Sequence, residues 1–231
     1  MIRINLLILC SFSALAVQAQ DAAVLIQKVK TKIESVRDYE AAGIMKTNVP
    51  FLKVPQSEVT VYFRYPDKLK IKNEKGISLV PKGAVSISLG NLMNNKQFTA
   101  IPSGKEVING ISTTVVKLLP TDESGEIVLS TLYIDEARLL IMRARTTTRD
   151  NGTYELEMTY GKYASYALPD KAVFSFATKE YKLPKGITFD YDDGTKKPKE
   201  VSGAGGTKGR LEIDYTNYII NKGVKDAVFA K

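Results

Sequence analysis

Residues 57–65 read SEVTVYFRY, and this stretch gives the clearest fold signal in the chain. Its side chains alternate, with Val61 and Phe63 on one face of an extended backbone and Thr60 and Arg64 on the other. A period of two residues is typical of a β-strand that buries one face and exposes the other. The stretch therefore predicts a strand in a sheet with one apolar side.

Similar stretches recur along the chain. We predict strands over residues 39–48, 69–72, 77–80, 98–101, 112–119, 127–135, 139–149, 154–166 and 172–177, and a further strand from residue 210. Short connections at Asn109-Gly110 and at residues 135–138 favour antiparallel neighbours, and Asn151-Gly152 predicts a two-residue type I′ hairpin. Asn151 also begins an Asn-Gly-Thr glycosylation acceptor, but the turn explains the same residues more economically. Many strands at this spacing indicate one large antiparallel sheet.

An amphipathic helix over residues 21–37 precedes the strands. Its apolar side chains recur at steps of three and four, so that they share one helical face: Ala22, Leu25, Ile26, Val29, Ile33 and Val36. Asp21 is suited to cap the first turn. Because such a face needs apolar cover, we expect the helix to pack on the sheet.

The first 19 residues have the three-part order of a secretory signal peptide. Arg3 is followed by an apolar run over residues 6–17, and Val17-Gln18-Ala19 places small residues before a cut at Gln20. The run is shorter than the roughly 20 residues that span a bilayer. We expect a soluble protein exported to the periplasm, with a signal peptide at 1–19, a main domain at 20–189 and a C-terminal extension at 190–231.

Cysteine and histidine are almost absent. Cys10, the only cysteine, lies inside the signal peptide rather than after it, so lipid attachment there is not expected, and the chain has no histidine or tryptophan. Ser-His-Asp and Cys-His catalysis, disulfides, and thiolate or imidazole metal sites are therefore excluded from the mature chain. A binding function is favoured over an enzymatic one, and we expect no catalytic residues, metal or cofactor.

The formal net charge of +8 is spread along the chain without a Lys/Arg block. It favours anionic membrane headgroups or acidic partners over nucleic acid, although a solvated surface with surplus lysine is the simpler explanation. The carboxylates of residues 190–193 lack the spacing of a calcium loop, and an exposed turn is favoured there. Glu155 and Glu157 share a strand face, and we expect them to pair with Arg143 and Arg145 on a neighbouring strand.

The C-terminal stretch changes character twice. Residues 190–209 are rich in turn formers, and a strand pattern then returns. Residues 211–218 and 226–229 echo residues 156–163 and 171–174 at a constant offset of 55. Two copies are too few for a solenoid. A tail that lays an additional strand on the sheet fits better.

Several strands carry more apolar surface than a one-sided sheet needs. Val115-Val116, Leu118-Leu119, residues 127–129 and residues 139–142 are apolar on both faces, so the second face also requires cover. Leu89, Leu92 and Met93 have helical spacing, so residues 88–95 form either a short helical lid or a surface loop with buried anchors. A curved sheet around these helices would enclose an apolar cavity suited to acyl chains, unless side chains fill it.

Short motifs follow one another in a characteristic order between residues 21 and 189. They are the helix at 21–37, Arg64-Tyr65-Pro66-Asp67-Lys68-Leu69, Lys75-Gly76-Ile77 with Pro81, residues 116–120, residues 132–135, Asn151-Gly152, Phe174-Ser175-Phe176 and Pro184-Lys185-Gly186-Ile187. In this order they resemble the LolA-like family of periplasmic outer-membrane lipoprotein carriers. The resemblance implies a mainly β fold with α, in which a strongly curved antiparallel sheet forms an incomplete, unclosed barrel with an N-terminal helix and a short helical lid.

The resemblance also implies a carrier that takes acylated lipoproteins from an inner-membrane donor to an outer-membrane acceptor. Family carriers place an arginine directly before the proline of the second strand, where it fastens the lid. Here Tyr65 holds that position and Arg64 comes one residue earlier, so we expect Arg64 to point outward.

We predict a monomeric periplasmic carrier or chaperone that binds the acyl chains of lipoproteins, or another lipid, with transient contact to a membrane surface. The predicted contacts are apolar residues of one strand parity or of the lid segment: Val61, Phe63, Ile71, Leu79, Leu92, Met93, Leu118, Leu132, Ile134 and Met142. The alternative is an envelope sensor of the same fold that binds lipoprotein and a protein partner, with the tail as the partner surface. A carboxylate hydrolase would need two converging acids, and nothing in the sequence brings such a pair together.

Overall fold

A computed structural model describes residues 21–48, 56–73, 98–122, 125–150, 152–177 and 208–229. Residues 21–34 form helix α1. The ten strands are β1 (Asp38–Asn48), β2 (Ser57–Arg64), β3 (Lys68–Asn73), β4 (Phe98–Ile108), β5 (Ile111–Pro120), β6 (Ile127–Asp135), β7 (Leu140–Thr148), β8 (Thr153–Thr159), β9 (Lys171–Ala177) and β10 (Lys208–Ile220). Short 3-10 turns lie at Ala164–Tyr166 and Asp226–Val228.

All ten strands belong to one antiparallel sheet in the order β3-β2-β1-β10-β9-β8-β7-β6-β5-β4. The sheet is open, because β3 and β4 are its two edges and do not pair with each other. The predicted fold class is confirmed in its main terms: a mainly β chain with an N-terminal helix and an unclosed barrel. The expected C-terminal strand is β10, and it lies between β9 and β1 in the middle of the sheet.

The sheet curves around α1. Near the end of the helix, Lys32 Nζ donates to the carbonyl of Arg138 at 2.6 Å, and Tyr65 Oη donates to Glu34 Oε1 at 3.3 Å. Arg138 precedes β7 and Tyr65 follows β2, and these strands are five positions apart in the sheet. In a flat sheet that separation is about 24 Å, whereas a helix with its side chains is only about 10–12 Å across. Only a curved sheet brings both strands to one helix.

The apolar face of α1 packs as its spacing predicts. Ala22, Ile26 and Val29 are buried in one cluster with side chains of β5 to β8, and Leu25 and Ile33 pack against the same cluster. Among the described residues, no helix is both long enough and apolar enough to cross a membrane.

One turn shows how local chemistry sets the strand ends. Asn109 and Gly110 both have positive φ, of 50° and 80°, and join β4 to β5 as the mirror-image turn that suits a hairpin. Asn151, in the predicted two-residue turn at Asn151-Gly152, lies outside the described residues; on either side of it Thr148 N–H donates to the Gly152 carbonyl at 2.9 Å and Thr147 pairs with Thr153.

Two strand predictions had wrong limits. β4 continues to Ile108 rather than ending at Ile101, because a register shift between Pro102 and Lys105 accommodates the break in the pattern. β8 ends at Thr159 rather than at Tyr166, since the chain turns at Gly161. The signal peptide, the strand at 77–80, the segment at 88–95 and the turn-rich stretch from 190 to 207 lie outside the described residues.

The leading segments of the two repeat copies flank one strand. β8 carries residues 156–159 of the first copy and β10 carries residues 211–218 of the second, and both pair with β9, which itself contains residues 171–174 of the first copy. Leu156 and Leu211, which are equivalent in the repeat, lie opposite the same residue, Phe174. The repeat therefore supplies two similar neighbours to β9.

Candidate functional site

In six of the ten strands the two faces of the sheet differ completely in charge. Through β1 to β3 and β8 to β10, every residue that shares a face with Val61 is uncharged. We call this face, which also carries Leu132 and Val116 and packs against α1, the inner face. Charged side chains of the same strands alternate to the outer face. An apolar ligand could contact the inner face without desolvating a charge.

Ion pairs cover the outer face. Arg143 Nη2 lies 3.0 Å from Glu157 Oε1, and Arg145 Nε lies 3.2 Å from Glu155 Oε2. The predicted pairing of these two glutamates with cross-strand arginines is confirmed.

A second group of ion pairs joins β1, β9 and β10. Lys171 Nζ lies 2.6 Å from Glu212 Oε1, and Lys46 Nζ lies 2.9 Å from Asp214 Oδ2. The hydrogen bond from Lys171 lowers the pKa of Glu212, and the hydrogen bond from Lys46 lowers the pKa of Asp214. Both carboxylates are therefore held ionised, as pairs on a wetted surface.

The inner face divides into two halves. In the half formed by β5 to β8, side chains of α1 complete the apolar cluster. In the other half, side chains of β1 to β3 and β8 to β10 form a separate cluster. Val36, just after the end of α1, belongs to this cluster, but no residue of α1 itself does. We call this second set the aromatic half, because it contains Tyr154, Phe174, Phe176 and Tyr218.

The aromatic half is built from ring contacts. The rings of Phe174 and Phe176 lie 5.4 Å apart, and the rings of Tyr154 and Phe174 lie 5.5 Å apart. Phe176 packs directly over Gly209, where a Cβ would come within 2.4 Å of the ring. Burial raises the pKa of Tyr218, whose hydroxyl donates to the Pro169 carbonyl at 2.8 Å. The rings thus present carbon surface to the interior.

The structure brings six of the predicted lipid contacts onto the inner face. Val61 on β2 and Ile71 on β3 are direct cross-strand partners in the aromatic half. Phe63, also on β2, stacks on Tyr39 with ring centroids 5.2 Å apart. The remaining three lie together under α1: Leu118, Leu132 and Ile134.

The other predicted contacts are placed differently or not described. Met142 packs in a separate cluster with Val115, Tyr133 and Leu140, because a register shift at Tyr133 pairs Ile134 with Ile141 and leaves Met142 out of the alternation. Leu79, Leu92 and Met93 lie outside the described residues. Whether any of the ten contacts lipid stays a prediction.

Sequence reasoning missed most of the aromatic half. Its members on β8 to β10 were not among the predicted contacts: Tyr154, Phe174, Phe176, Leu211, Ile213 and Tyr218. All except Tyr218, which lies beyond a register shift in β10, follow the same two-residue alternation that identified Val61, so the signal was present.

Arg64 points outward, as expected from its shift by one residue. Its guanidinium pairs with the carboxylate of Asp226, which also receives Lys68 Nζ at 2.8 Å. The hydrogen bonds from Arg64 and Lys68 lower the pKa of Asp226 to about 2. Arg64 therefore fastens the C-terminal segment to the β2–β3 turn.

An open hollow of about 440 Å³ lies near the β4–β5 and β6–β7 connections, and none of the described predicted contacts lines it. Its lining includes Lys105, Asp135 and Glu136, and these charges do not suit an acyl chain. No group of three or more acidic side chains that could hold a metal ion occurs within the described part of the chain.

Comparison of the fold with solved structures finds similar proteins of low sequence identity. A DUF1329 family protein from Desulfovibrio piger has 13% identity and a TM-score of 0.58, over 92% of this chain and 97% of that one. A putative outer membrane lipoprotein-sorting protein domain from Vibrio parahaemolyticus has 12% identity and a TM-score of 0.55, over 91% and 97%. A LolA superfamily protein from Nitrosomonas europaea has 12% identity and a TM-score of 0.52, over 89% and 97%.

At these identities the similarity concerns the fold. The fold is LolA-like, as the order of motifs in the sequence predicts. No protein-family model matches the sequence, and no curated protein matches it.

Proposed function

We propose that this chain is a periplasmic carrier that binds the acyl chains of lipoproteins, or of another lipid, on the inner face and transfers them toward the outer membrane. The observation that carries the proposal is the separation of charge: through β1 to β3 and β8 to β10 the inner face is uncharged, and the ion pairs lie on the outer face. A sheet needs only one apolar side to fold, but an open, curved sheet with this lining also suits a hydrocarbon ligand.

One of the similar structures supports this proposal. The Vibrio parahaemolyticus protein is described as a lipoprotein-sorting domain, and it shares the fold over nearly its whole length. The proposed cycle needs no covalent chemistry, since each methylene removed from water contributes about 0.8 kcal/mol. The proposal includes export by the signal peptide at 1–19, a soluble monomer, and transient contact with donor and acceptor membranes.

Access to the inner face requires movement. The described contacts on the inner face are between 0% and 8% exposed: Val61, Phe63, Ile71, Leu118, Leu132 and Ile134. A ligand must therefore displace whatever covers these residues. The segment at 88–95 is the candidate cover from its sequence pattern, and we propose that it acts as the lid.

The alternative of a sensor with the tail as its partner surface has less support. β10 is paired on both edges, to β1 and to β9, so this strand has no free edge for a partner. Asp226, farther along the tail, is paired with Arg64 and Lys68. The described C-terminal segment is thus part of the fold.

The proposal is tested by replacing, one at a time, two neighbouring leucines that lie on opposite faces of the sheet. Leu118 is buried in the inner face, whereas Leu119 is 45% exposed on the outer face. We expect Leu118→Glu to abolish co-purification of lipid from the periplasm, measured by native mass spectrometry, and Leu119→Glu to retain it.

Circular dichroism of both variants is the folding control. The proposal fails if the wild-type protein carries no lipid or lipoprotein and takes up none from vesicles. It also fails if folded Leu118→Glu retains lipid at the wild-type level.

A further inference from the structure

A pair of hydroxyl groups lies within the apolar lining of the inner face. Ser130 on β6 and Thr146 on β7 are cross-strand partners, with their hydroxyl oxygens 3.0 Å apart. They are 1% and 0% exposed, so bulk water does not reach them. The next inner-face pair along the same strands is Leu132 and Ala144, which are both buried and apolar.

The two hydroxyl groups carry one more hydrogen than their mutual hydrogen bond uses. Each hydroxyl has one hydrogen to donate, and the bond between the two uses only one of them. Among the described residues, no acceptor receives the other hydrogen. A buried donor without an acceptor is unfavourable, and alanine or valine at these positions would avoid the cost. The pair therefore has a free donor that a bound ligand could satisfy.

The position of the pair suits the end of an acyl chain. Thr146 lies opposite Tyr154, which belongs to the aromatic half, and Ser130 lies opposite Leu118, which packs in the cluster that α1 completes. The pair thus lies at the boundary between the two halves. From this boundary a hydrocarbon chain could extend over the aromatic half, against which no side chain of α1 packs.

The surroundings restrict the charge of the group that this pair could bind. The inner-face neighbours of Ser130 and Thr146 across the strands are Leu118 and Tyr154, and neither carries a charge. A carboxylate or phosphate buried here would lack a compensating cation, which is strongly unfavourable. A neutral carbonyl oxygen, as in an ester or amide, accepts one hydrogen bond and needs no counter-charge.

We propose that Ser130 and Thr146 form the polar anchor for the neutral carbonyl that links an acyl chain to its carrier molecule. This inference rests on the proposed function and names its ligand class: ester-linked or amide-linked acyl chains, in preference to free fatty acids. The anchor donates one hydrogen bond to the carbonyl, while the chain beyond it contacts the aromatic half.

The test compares ligands that share a hydrocarbon chain and differ at its end. Tritiated methyl palmitate, palmitate at pH 8 and hexadecane are each transferred to the full-length mature protein from methyl-β-cyclodextrin. We expect the wild-type protein to bind methyl palmitate at least tenfold more tightly than palmitate. Replacing both hydroxyls, in Ser130→Ala/Thr146→Val, is expected to weaken methyl palmitate binding about five- to tenfold and to leave hexadecane binding unchanged.

The outer face offers a matched control. Thr147 and Thr153 form the same kind of pair, with hydroxyl oxygens 3.0 Å apart, on the other side of β7 and β8. Thr147→Val/Thr153→Val is expected to bind all three ligands as the wild type does. Should the inner double variant not fold, Thr146→Val, which keeps the side-chain shape, provides the same comparison with a smaller change.

The outcomes separate the two proposals. If the wild-type protein binds none of the three probes, the proposed function fails. If it binds methyl palmitate and palmitate equally, or if the inner variant binds methyl palmitate as the wild type does, the anchor is refuted while acyl binding stands. If the inner variant loses affinity for all three probes equally, the pair has only a structural role and the anchor is refuted.

Discussion

Truncation of Ile26 on α1 tests whether the helix is a permanent part of the core. Ile26 is 1% exposed and packs with apolar side chains of β5 to β8. Two residues earlier on the same helix, Val24 is 47% exposed. Ile26→Ala and Val24→Ala therefore remove similar side chains from opposite environments. The comparison cancels most of the effect of alanine on helix propensity.

The structure sets the size of the expected difference. Truncating a buried isoleucine to alanine costs about 2–5 kcal/mol, depending on how far the surroundings collapse into the space. The sheet below Ile26 is fixed by its hydrogen-bonded ladder, with Val116 paired to Leu132 and Leu132 paired to Ala144. Little collapse is expected, so we predict a loss of about 3–4 kcal/mol. For a chain of this length, that corresponds to a Tm lower by about 6–16 °C.

Equilibrium unfolding in urea measures this difference. Val24→Ala is expected to change the free energy of unfolding by less than about 0.5 kcal/mol, since its side chain is solvated. A loss below about 1 kcal/mol for Ile26→Ala, or equal losses for both variants, would refute a fixed helix. The helix would then itself be a movable cover over Leu118, Leu132 and Ile134.

Two further predictions concern the C-terminal segment and the β1–β10 contact. The pKa of Asp226 is about 2, against an ordinary value of 3.8, so its pairing with Arg64 stabilises the fold fully above about pH 4 and is lost as the pH falls toward 2. Asp226→Asn should therefore flatten the fall of the urea midpoint between pH 4 and pH 2, and parallel curves for variant and wild type would contradict this. A Cβ on Gly43 would lie 2.8 Å from the carbonyl oxygen of Asp214, so Gly43→Ala should lower the free energy of unfolding by about 1–3 kcal/mol. Gly125→Ala, whose nearest neighbour is at 3.5 Å, is the control, and equal stability of the two glycine variants would show that the backbones are not in tight contact.

The sequence predicts the strands better where their alternation is unbroken. β2 and β6 have nearly their predicted limits, because β2 alternates without interruption and β6 is rich in apolar and β-branched residues up to the turn at Asp135. The prediction for β4 ended too early, at Ile101, because Pro102 and Gly104 resemble the end of a strand. In the structure the strand continues past them through an irregular register. Such an irregularity depends on the partner strand, which a local pattern does not contain.

The position of β10 could not be predicted for a related reason. Its alternation identifies a strand, but the choice between an edge and the centre depends on pairing with β1, which lies more than 150 residues earlier in the chain. The same limit explains the candidate site. The two-residue alternation of the strands correctly predicted that Val61, Ile71 and Leu132 share the inner face. Only the order of the strands in the sheet shows that Phe174 and Phe176 belong to the half against which α1 does not pack.

The burial of the inner face has a consequence for the proposed transfer. An acyl chain of about 15 carbons gains roughly 12 kcal/mol when it leaves water, so binding tolerates a considerable cost of opening. If the closed form is favoured a thousandfold, the observed affinity falls a thousandfold, by about 4 kcal/mol, and most of the gain remains. The closed form then assists release, because contacts such as Val61 with Ile71 become buried again as the chain departs. A carrier whose empty state hides its own lining holds its cargo less tightly than an open cavity would, and a membrane acceptor needs correspondingly less affinity to remove it.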